Sequence, residues 1–222
     1  TPHQQGVLTQ KDVPNMAISE IPMQSVTYDN LILPDNMMVG GDMNIEVVRR
    51  HTQIQIALYL IGLQLGYRTW IAQNDKGIVY KDKPLFEQPG IVPTLRDENI
   101  ISAFPGAEPS AKFIDCIWFQ NHRFMPAVME VEHTTGITSG LTRMKGLQDT
   151  MPAFNTRYVI VAPDDDREKV VNEVNRPQFV CLDARYFSYS SVEELYYICT
   201  HRNLHGVTQE FLDCYMEKVC VH

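Results

Sequence analysis

The sequence predicts an α/β fold, and three stretches predict it. Asn44 to Gly66 repeats Val47, Ile54, Leu58, Ile61 and Leu65 at helical spacing and ends on a glycine suited to stop a helix. Phe113 to Phe119 and Phe124 to Val131 are short apolar runs on either side of the polar turn Gln120-Asn121-His122-Arg123, the pattern of a β-hairpin. Arg157 to Ala162 (RYVIVA) is almost continuously apolar, as a strand buried on both faces should be.

The remaining elements follow in order. Residues 1–42 are rich in Pro, Asn, Gln and Met without a sustained period. They read as an N-terminal arm or a linker, leaving residues 43–222 as the folded domain. Tyr67 to Ala72 is a strand, and Gln73 to Ile101 is mostly loop, punctuated by Asn74-Asp75-Lys76-Gly77, Pro84, Pro89 and Gly90. After the hairpin and the turn His133-Thr134-Thr135-Gly136, Thr138 or Ser139 can cap a helix running to about Thr150. Asp165 and Glu168 have capping-box spacing at the start of the next helix, which accounts for the acidic run Asp164-Asp165-Asp166 without a metal. Gln178 to Leu182 reads as a strand, and Ser190 to Leu204 and Val207 to Val219 as terminal helices.

Composition sets the class. A chain of 222 residues with 44% hydrophobic and 21% charged residues suits one sizeable globular domain. No apolar run reaches the roughly 18 residues of a membrane span, so a soluble, cytoplasmic protein is expected. The five cysteines (Cys116, Cys181, Cys199, Cys214, Cys220) contain no CxxC and read as free thiols of a reducing compartment. Cys199, His201, His205, Cys214, Cys220 and His222 gather in the tail, but their spacing fits no common zinc module. A net charge of −8 argues against indiscriminate polyanion binding, so phosphate contacts must come from local basic groups.

The chemistry concentrates in the hairpin. Glu130 and Glu132 share a strand face with Val131 opposite, and the turn can return Asp115 beside them. Three carboxylates on one patch of sheet repel one another unless a cation or protons lie among them. A divalent metal site is the leading reading; solvated acids at a sheet edge are the plainer one.

An Asp in one strand, fourteen residues, then Glu-x-Glu closing the next resembles the PD-(D/E)XK nuclease superfamily. The run EVEHTTGITSGLTRM is similar to its type II restriction endonucleases, and the resemblance covers roughly Asn44 to Phe179. It implies a mixed central sheet flanked by helices and Mg2+-dependent hydrolysis of double-stranded DNA by Asp115, Glu130 and Glu132. Mg2+, for which Mn2+ can substitute, would be held by Asp115, Glu130 and the backbone carbonyl of Val131. Two positions depart from the pattern: Ile114 stands where Pro precedes the Asp, and Glu132 stands where Lys is usual. Glu132 would then accept a proton from water or hold a second metal.

Supporting positions follow from the same resemblance. Glu46 matches the acid that the first core helix supplies, while Arg143 and Lys145 lie on the helix that runs near the metal. They read either as phosphate contacts or as charges on a solvated face, and His133 as a phosphate contact or a structural histidine. Glu46, Arg49, Arg50, His51, Gln53 and Gln55 leave the same choice open for the first helix, between a functional and a solvated polar face. A homodimer is implied by cleavage of both strands of a symmetric site, and an upstream specificity domain by a chain that begins at Thr1. Two other classes compete: a non-catalytic DNA-binding or assembly module of the same fold, and a DNA repair nuclease. Gly136-Ile137-Thr138-Ser139-Gly140 fails as a nucleophile elbow, because its middle residue is Thr138.

Overall fold

The computed structural model describes residues 31–32, 45–133, 136–152, 154–202, 204 and 206–220. The proposed arm lies outside these apart from β1 (Leu31–Ile32), which pairs antiparallel with β3 (Val79–Tyr80). With β4 (Lys83–Pro84) they make a small three-stranded sheet, so the stretch read as loop carries some regular structure.

The main sheet has six strands in the order β2 (Arg68–Ile71), β5 (Cys116–Gln120), β6 (Phe124–Val131), β7 (Arg157–Ala162), β8 (Arg185–Ser188) and β9 (Glu217–Lys218). It is mixed: β6, β7 and β8 run parallel, while β2, β5 and β9 add antiparallel neighbours at the two ends. The hairpin predicted from its four-residue turn is β5–β6, and Asn121 and His122 take φ of 53° and 58° to close it. Left-handed backbone at non-glycine residues is tolerated there because the turn is short and exposed.

Side-chain alternation divides the core. Cys116, Trp118, Ala127, Met129, Val131, Val159, Val161 and Phe187 pack with α1 (Ile45–Gln64) and α6 (Tyr189–Arg202). Ile117, Phe119, Val128, Ile160 and Tyr186 pack instead with α4 (Ile137–Asp149) and α5 (Arg167–Val174). Two short helices, α2 (Asn99–Ser102) and α3 (Ala107–Ala111), extend that second layer through Ile100, Ile101, Ala107 and Ala111. The result is an α/β fold with a mixed central sheet between helices, compatible with a restriction endonuclease-like core. The loop ahead of α2 is tied back to β2 by Glu98, fully buried and paired with Arg68 at 2.8 Å.

Four readings need correction. Gln178 to Leu182 forms no strand; Val180–Leu182 is a 3-10 turn ended by Asp183 at φ 47°, and the strand comes later as β8. Val207 to Val219 is not one helix but α7 (Gln209–Asp213) followed by β9. The capping box of Asp165 and Glu168 fails too: the residue at the cap of α5 is Asp166, which makes no side-chain cap bond, while Asp164 accepts from the Ser190 amide at 3.2 Å. Neither Thr138 nor Ser139 caps α4, which starts after Gly136; Thr138 donates to Glu173 at 2.7 Å.

Gly62 shows how closely α1 meets the sheet. A Cβ there would fall 2.6 Å from Trp118 Nε1 and 2.7 Å from Thr69 Oγ1. Trp118 cannot yield easily, being fully buried with its indole N–H bonded to the Leu58 carbonyl at 3.1 Å. In an open helix Gly→Ala gains about 1 kcal/mol; here overpacking should win. Gly62→Ala is expected to lose roughly 1–3 kcal/mol in urea unfolding. A stabilised variant would show that helix and sheet have slack between them.

Candidate functional site

The site forms where β5 begins and β6 ends. Asp115 does not lie inside the strand as expected; it occupies the bend just before β5. Pairing of Cys116 with Met129 nevertheless sets it beside the Glu130 end of β6, and its Oδ2 accepts the Val131 amide at 2.9 Å. Glu130 is opposite Ile160 of β7, and the Glu132 amide donates to the Val161 carbonyl at 2.8 Å. β7 thereby fixes the backbone of both glutamates from one side, and Asp115 holds the Val131 amide between them from the other.

Both carboxylates are buried, Glu130 at 0% exposure and Glu132 at 8%. Period-two alternation sends them toward α4, since Val128 of the same parity packs there. Arg143 reaches back from α4 to meet them. Its Nε and Nη2 donate to the two oxygens of Glu130 at 2.8 and 2.7 Å, and Nη2 also donates to Glu132 at 2.9 Å. A bidentate guanidinium is the geometry best suited to a carboxylate taken out of water.

The first turn of α4 is shaped around Glu132. A Cβ at Gly136 would lie 1.8 Å from Glu132 Oε2, and one at Gly140 would lie 2.7 Å from Oε1 and 3.0 Å from Glu130 Cβ. The GITSG run therefore has a steric purpose: its glycines let a helix settle directly on a carboxylate. The sequence offers this run as a helix cap at Thr138 or Ser139, as part of the family resemblance and as a failed nucleophile elbow, but not as a cradle for a carboxylate.

A second set of ligands meets at Asp115. Nε2 of His51 on α1 lies 3.9 Å from Asp115 Oδ2, and Asp75, in the loop after β2, completes a group whose ligand atoms all lie within 4.8 Å of one another. Among the described residues this is the one group of three or more His, Cys, Asp or Glu that converges so closely. Gln55, one turn along α1, donates to Asp75 Oδ2 at 3.0 Å and to the Asp115 carbonyl at 2.9 Å. Its own Oε1 is buried without a hydrogen-bond partner. Gln53 and Gln55 are 2% and 0% exposed, so a solvated face is the wrong reading for them. Buried polar residues on an otherwise apolar helical pattern were the available signal; Asp75 offered none.

The remaining candidates sit around this centre. The His133 ring is 3.2 Å from the Tyr189 hydroxyl and edge-on to its ring. Lys145 pairs with Asp149 one turn along α4. Glu46 falls in the first turn of α1, and its side chain lies outside the described residues, as do Thr134 and Thr135. His205 and His222 of the tail group lie outside them as well.

The electrostatics are those of an under-compensated acidic site. Burial, reinforced by Asp115, pushes the Glu130 carboxyl well up despite the Arg143 bonds. The same causes push Glu132 up to about 7. Burial also raises Asp75, against the Gln55 hydrogen bond. Arg143 is raised as well, which for a guanidinium favours the charged form, above all through its Glu130 hydrogen bond. Raised carboxyls and a converging His–Asp–Asp set fit a divalent cation.

The comparisons with known proteins agree with one another. The family model described as the type II restriction enzyme NmeDI C-terminal domain matches residues 32–219. The chain is similar to the type II restriction enzyme NmeDI of Neisseria meningitidis serogroup C, 55% identical over 223 residues. That alignment takes in 99% of this chain and 62% of the curated relative, so the chain spans less than two thirds of its length. No solved structure matches.

The raised Glu132 carboxyl has a stability consequence. Between its ordinary 4.5 and about 7, the folded chain holds a proton that the unfolded chain has released. That contribution is complete below the lower value and is lost as pH rises through the upper one. In metal-free protein Glu132→Gln should therefore be more stable than wild type at pH 8, by roughly 1–3 kcal/mol, and nearly equal to it near pH 4.5. Thermal unfolding of both proteins across that range checks it; a difference independent of pH would remove Glu132 as the titrating group.

Proposed function

The chain belongs to the type II restriction enzyme NmeDI C-terminal domain family, and from that premise we propose that it is a metal-dependent endonuclease domain hydrolysing phosphodiester bonds of double-stranded DNA. One observation carries the proposal: Asp115, Glu130 and Glu132 are buried at the ends of adjacent strands, where burial and Asp115 push both glutamate carboxyls up. Asp115 ahead of one strand and Glu-x-Glu closing the next is also what supports a PD-(D/E)XK assignment.

In this reading Asp115, Glu130 and the Val131 carbonyl would hold Mg2+ or Mn2+, with Glu130 shared between the ion and Arg143. When bound, the ion supplies Lewis acidity to the scissile phosphate and to water. Glu132, its carboxyl pushed up to about 7, takes a proton from the attacking water near neutral pH. Arg143 supplies the positive charge that a Lys at position 132 would otherwise bring, stabilising negative charge developing on phosphate. His133, hydrogen-bonded to Tyr189, orders the exit from β6, and Lys145 lies on the outer side of α4 for a backbone phosphate. Residues 43–222 act as the nuclease domain, paired about a two-fold axis for symmetric cutting.

One observation favours a second reading. Arg143 occupies both oxygens of a fully buried Glu130, as suits a relative that keeps the fold and binds DNA without cutting it.

The experiment is cleavage of duplex DNA with Mg2+, with EDTA, and by Asp115→Ala with Mg2+. Discrete fragments are expected only in the first condition. Arg143→Ala should lose roughly 10²–10³-fold in rate, the scale of a removed electrostatic group. Cutting that survives Asp115→Ala would put the site elsewhere, and DNA bound but intact with Mg2+ would select the second reading.

A further inference from the structure

We propose that the open cavity at the turn end of the β5–β6 hairpin binds a nucleotide that is not in a duplex, its base stacked on the rings of Phe124 and Phe154 and its phosphate met by Arg123. The inference does not rest on the nuclease reading. Glu130 stands further along β6 from Phe124, roughly 20 Å away at the rise of a strand.

The register of the sheet opens the cavity. β6 begins at Phe124, but its pairing with β7 begins only at Ala127 with Arg157. Phe124, Met125 and Pro126 therefore run past the start of β7 without a strand on that side, and Pro126 has no N–H with which to take one. The chain entering β7 turns aside instead, closed by the Thr156 amide on the Phe154 carbonyl at 2.8 Å. On the other side the ladder with β5 is irregular between Trp118 and Gln120, and Gln120 comes to stand opposite Phe124. Ile100 of α2, whose amide donates to the His122 carbonyl at 3.1 Å, closes a further wall. The cavity measures about 400 Å³, a size that holds a small ligand.

The lining identifies the ligand. Phe124 and Phe154 are 59% and 42% exposed, and both border this cavity. A single exposed apolar residue is ordinary, whereas two aromatic rings on one hollow offer a base two surfaces for stacking. Phe154 is held edge-to-face by Phe104, with ring centroids 5.8 Å apart. Among the described residues, the amides of Gln120 and Asn155 and the guanidinium of Arg123 make no side-chain hydrogen bond or ion pair. An amide sets donor and acceptor side by side, as a base edge does, and a guanidinium matches a phosphate. In a chain of net charge −8, an arginine without a carboxylate beside two exposed rings selects an anionic aromatic ligand. Bases inside a duplex stack on one another and have no face to give the rings, so the nucleotide is free or lies in a single strand.

The test titrates the full chain, in EDTA so that no strand is cut, with 2-aminopurine deoxyriboside 5′-monophosphate, whose fluorescence falls when its base stacks. Saturable quenching is expected, and Phe124→Ala should weaken binding at least about fivefold, the lower end of what one base–aromatic stack contributes. Phe124 is exposed, so its loss leaves no hole in the core, and Phe154→Ala should give a loss of the same scale. Arg123→Gln should weaken the monophosphate and leave the uncharged nucleoside unchanged. A short single strand carrying one 2-aminopurine is the second arm: tighter binding than the monophosphate gives a strand as the source, and equal or weaker binding a free nucleotide. No quenching in either arm, or quenching unchanged in Phe124→Ala and Phe154→Ala, overturns the inference. Cleavage that depends on Asp115 tests the nuclease reading separately, so either can fail while the other stands.

Discussion

Carboxylates taken out of water beside one another need a cation, and the end of β6 is arranged around that demand. Glu130 is fully buried, so its charge cannot be left to solvent. The Arg143 fork meets it in two hydrogen bonds and extends to Glu132 with a third. For Arg143 to reach, α4 must lie almost on the strand end, and that is possible because Gly136 and Gly140 carry no side chain against Glu132. The turn after β6, the helix start and the two glycines are thus consequences of one electrostatic requirement. Removing Arg143, the one cation of this set, would strand the fully buried Glu130 and cost on the order of 3–5 kcal/mol.

The sheet supplies the rigidity. β6 lies between β5 and β7; pairing with β5 ends at Met129, and at the site β7 holds Glu130 and Val131 while the Val161 carbonyl takes the Glu132 amide just past the strand end. Its two faces are packed by different helix layers, α1 and α6 against one and α4 and α5 against the other. Asp115 takes part in both layers: it bonds the Val131 amide, stands near His51 of α1 and shifts the carboxyls that Arg143 holds. α1 therefore sets His51 beside Asp115, while α4 brings Arg143 to the two glutamates that Asp115 pushes up.

Much of this was legible where a local pattern determines structure. The period of α1, the hairpin with its four-residue turn and the apolar run of β7 were readable because burial alone fixes them. β8 was hidden for a physical reason. Arg185 and Ser188 make it look polar, and Arg185 is buried because Asp213, far along the chain, accepts its Nη1 at 2.8 Å. The more apolar Gln178 to Leu182 looked like the better strand, but it turns at Asp183 instead. β9 likewise exists only by pairing with β8, through Arg185 with Lys218 and Tyr186 with Glu217. At the site, Glu-x-Glu was visible from alternation. The grip of Arg143 and the convergence of His51 with Asp75 were not, because each depends on how separate elements pack.

Charge balance then decides how the site is read. Asp75, Asp115, Glu130 and Glu132 bring four carboxyls to one region, against Arg143 and a histidine that is cationic only when protonated. Arg143 is committed to the two glutamates, and its fork has no contact with Asp75 or Asp115 among the bonds it makes there. Without another cation, part of the set must stay protonated, which is what the raised carboxyls of Asp75, Glu130 and Glu132 express. A chain selected only for stability would reach a lower free energy by replacing some of these acids with apolar groups of similar volume. Keeping them, with one arginine shared between two glutamates, is the arrangement of a protein that receives positive charge from outside the chain.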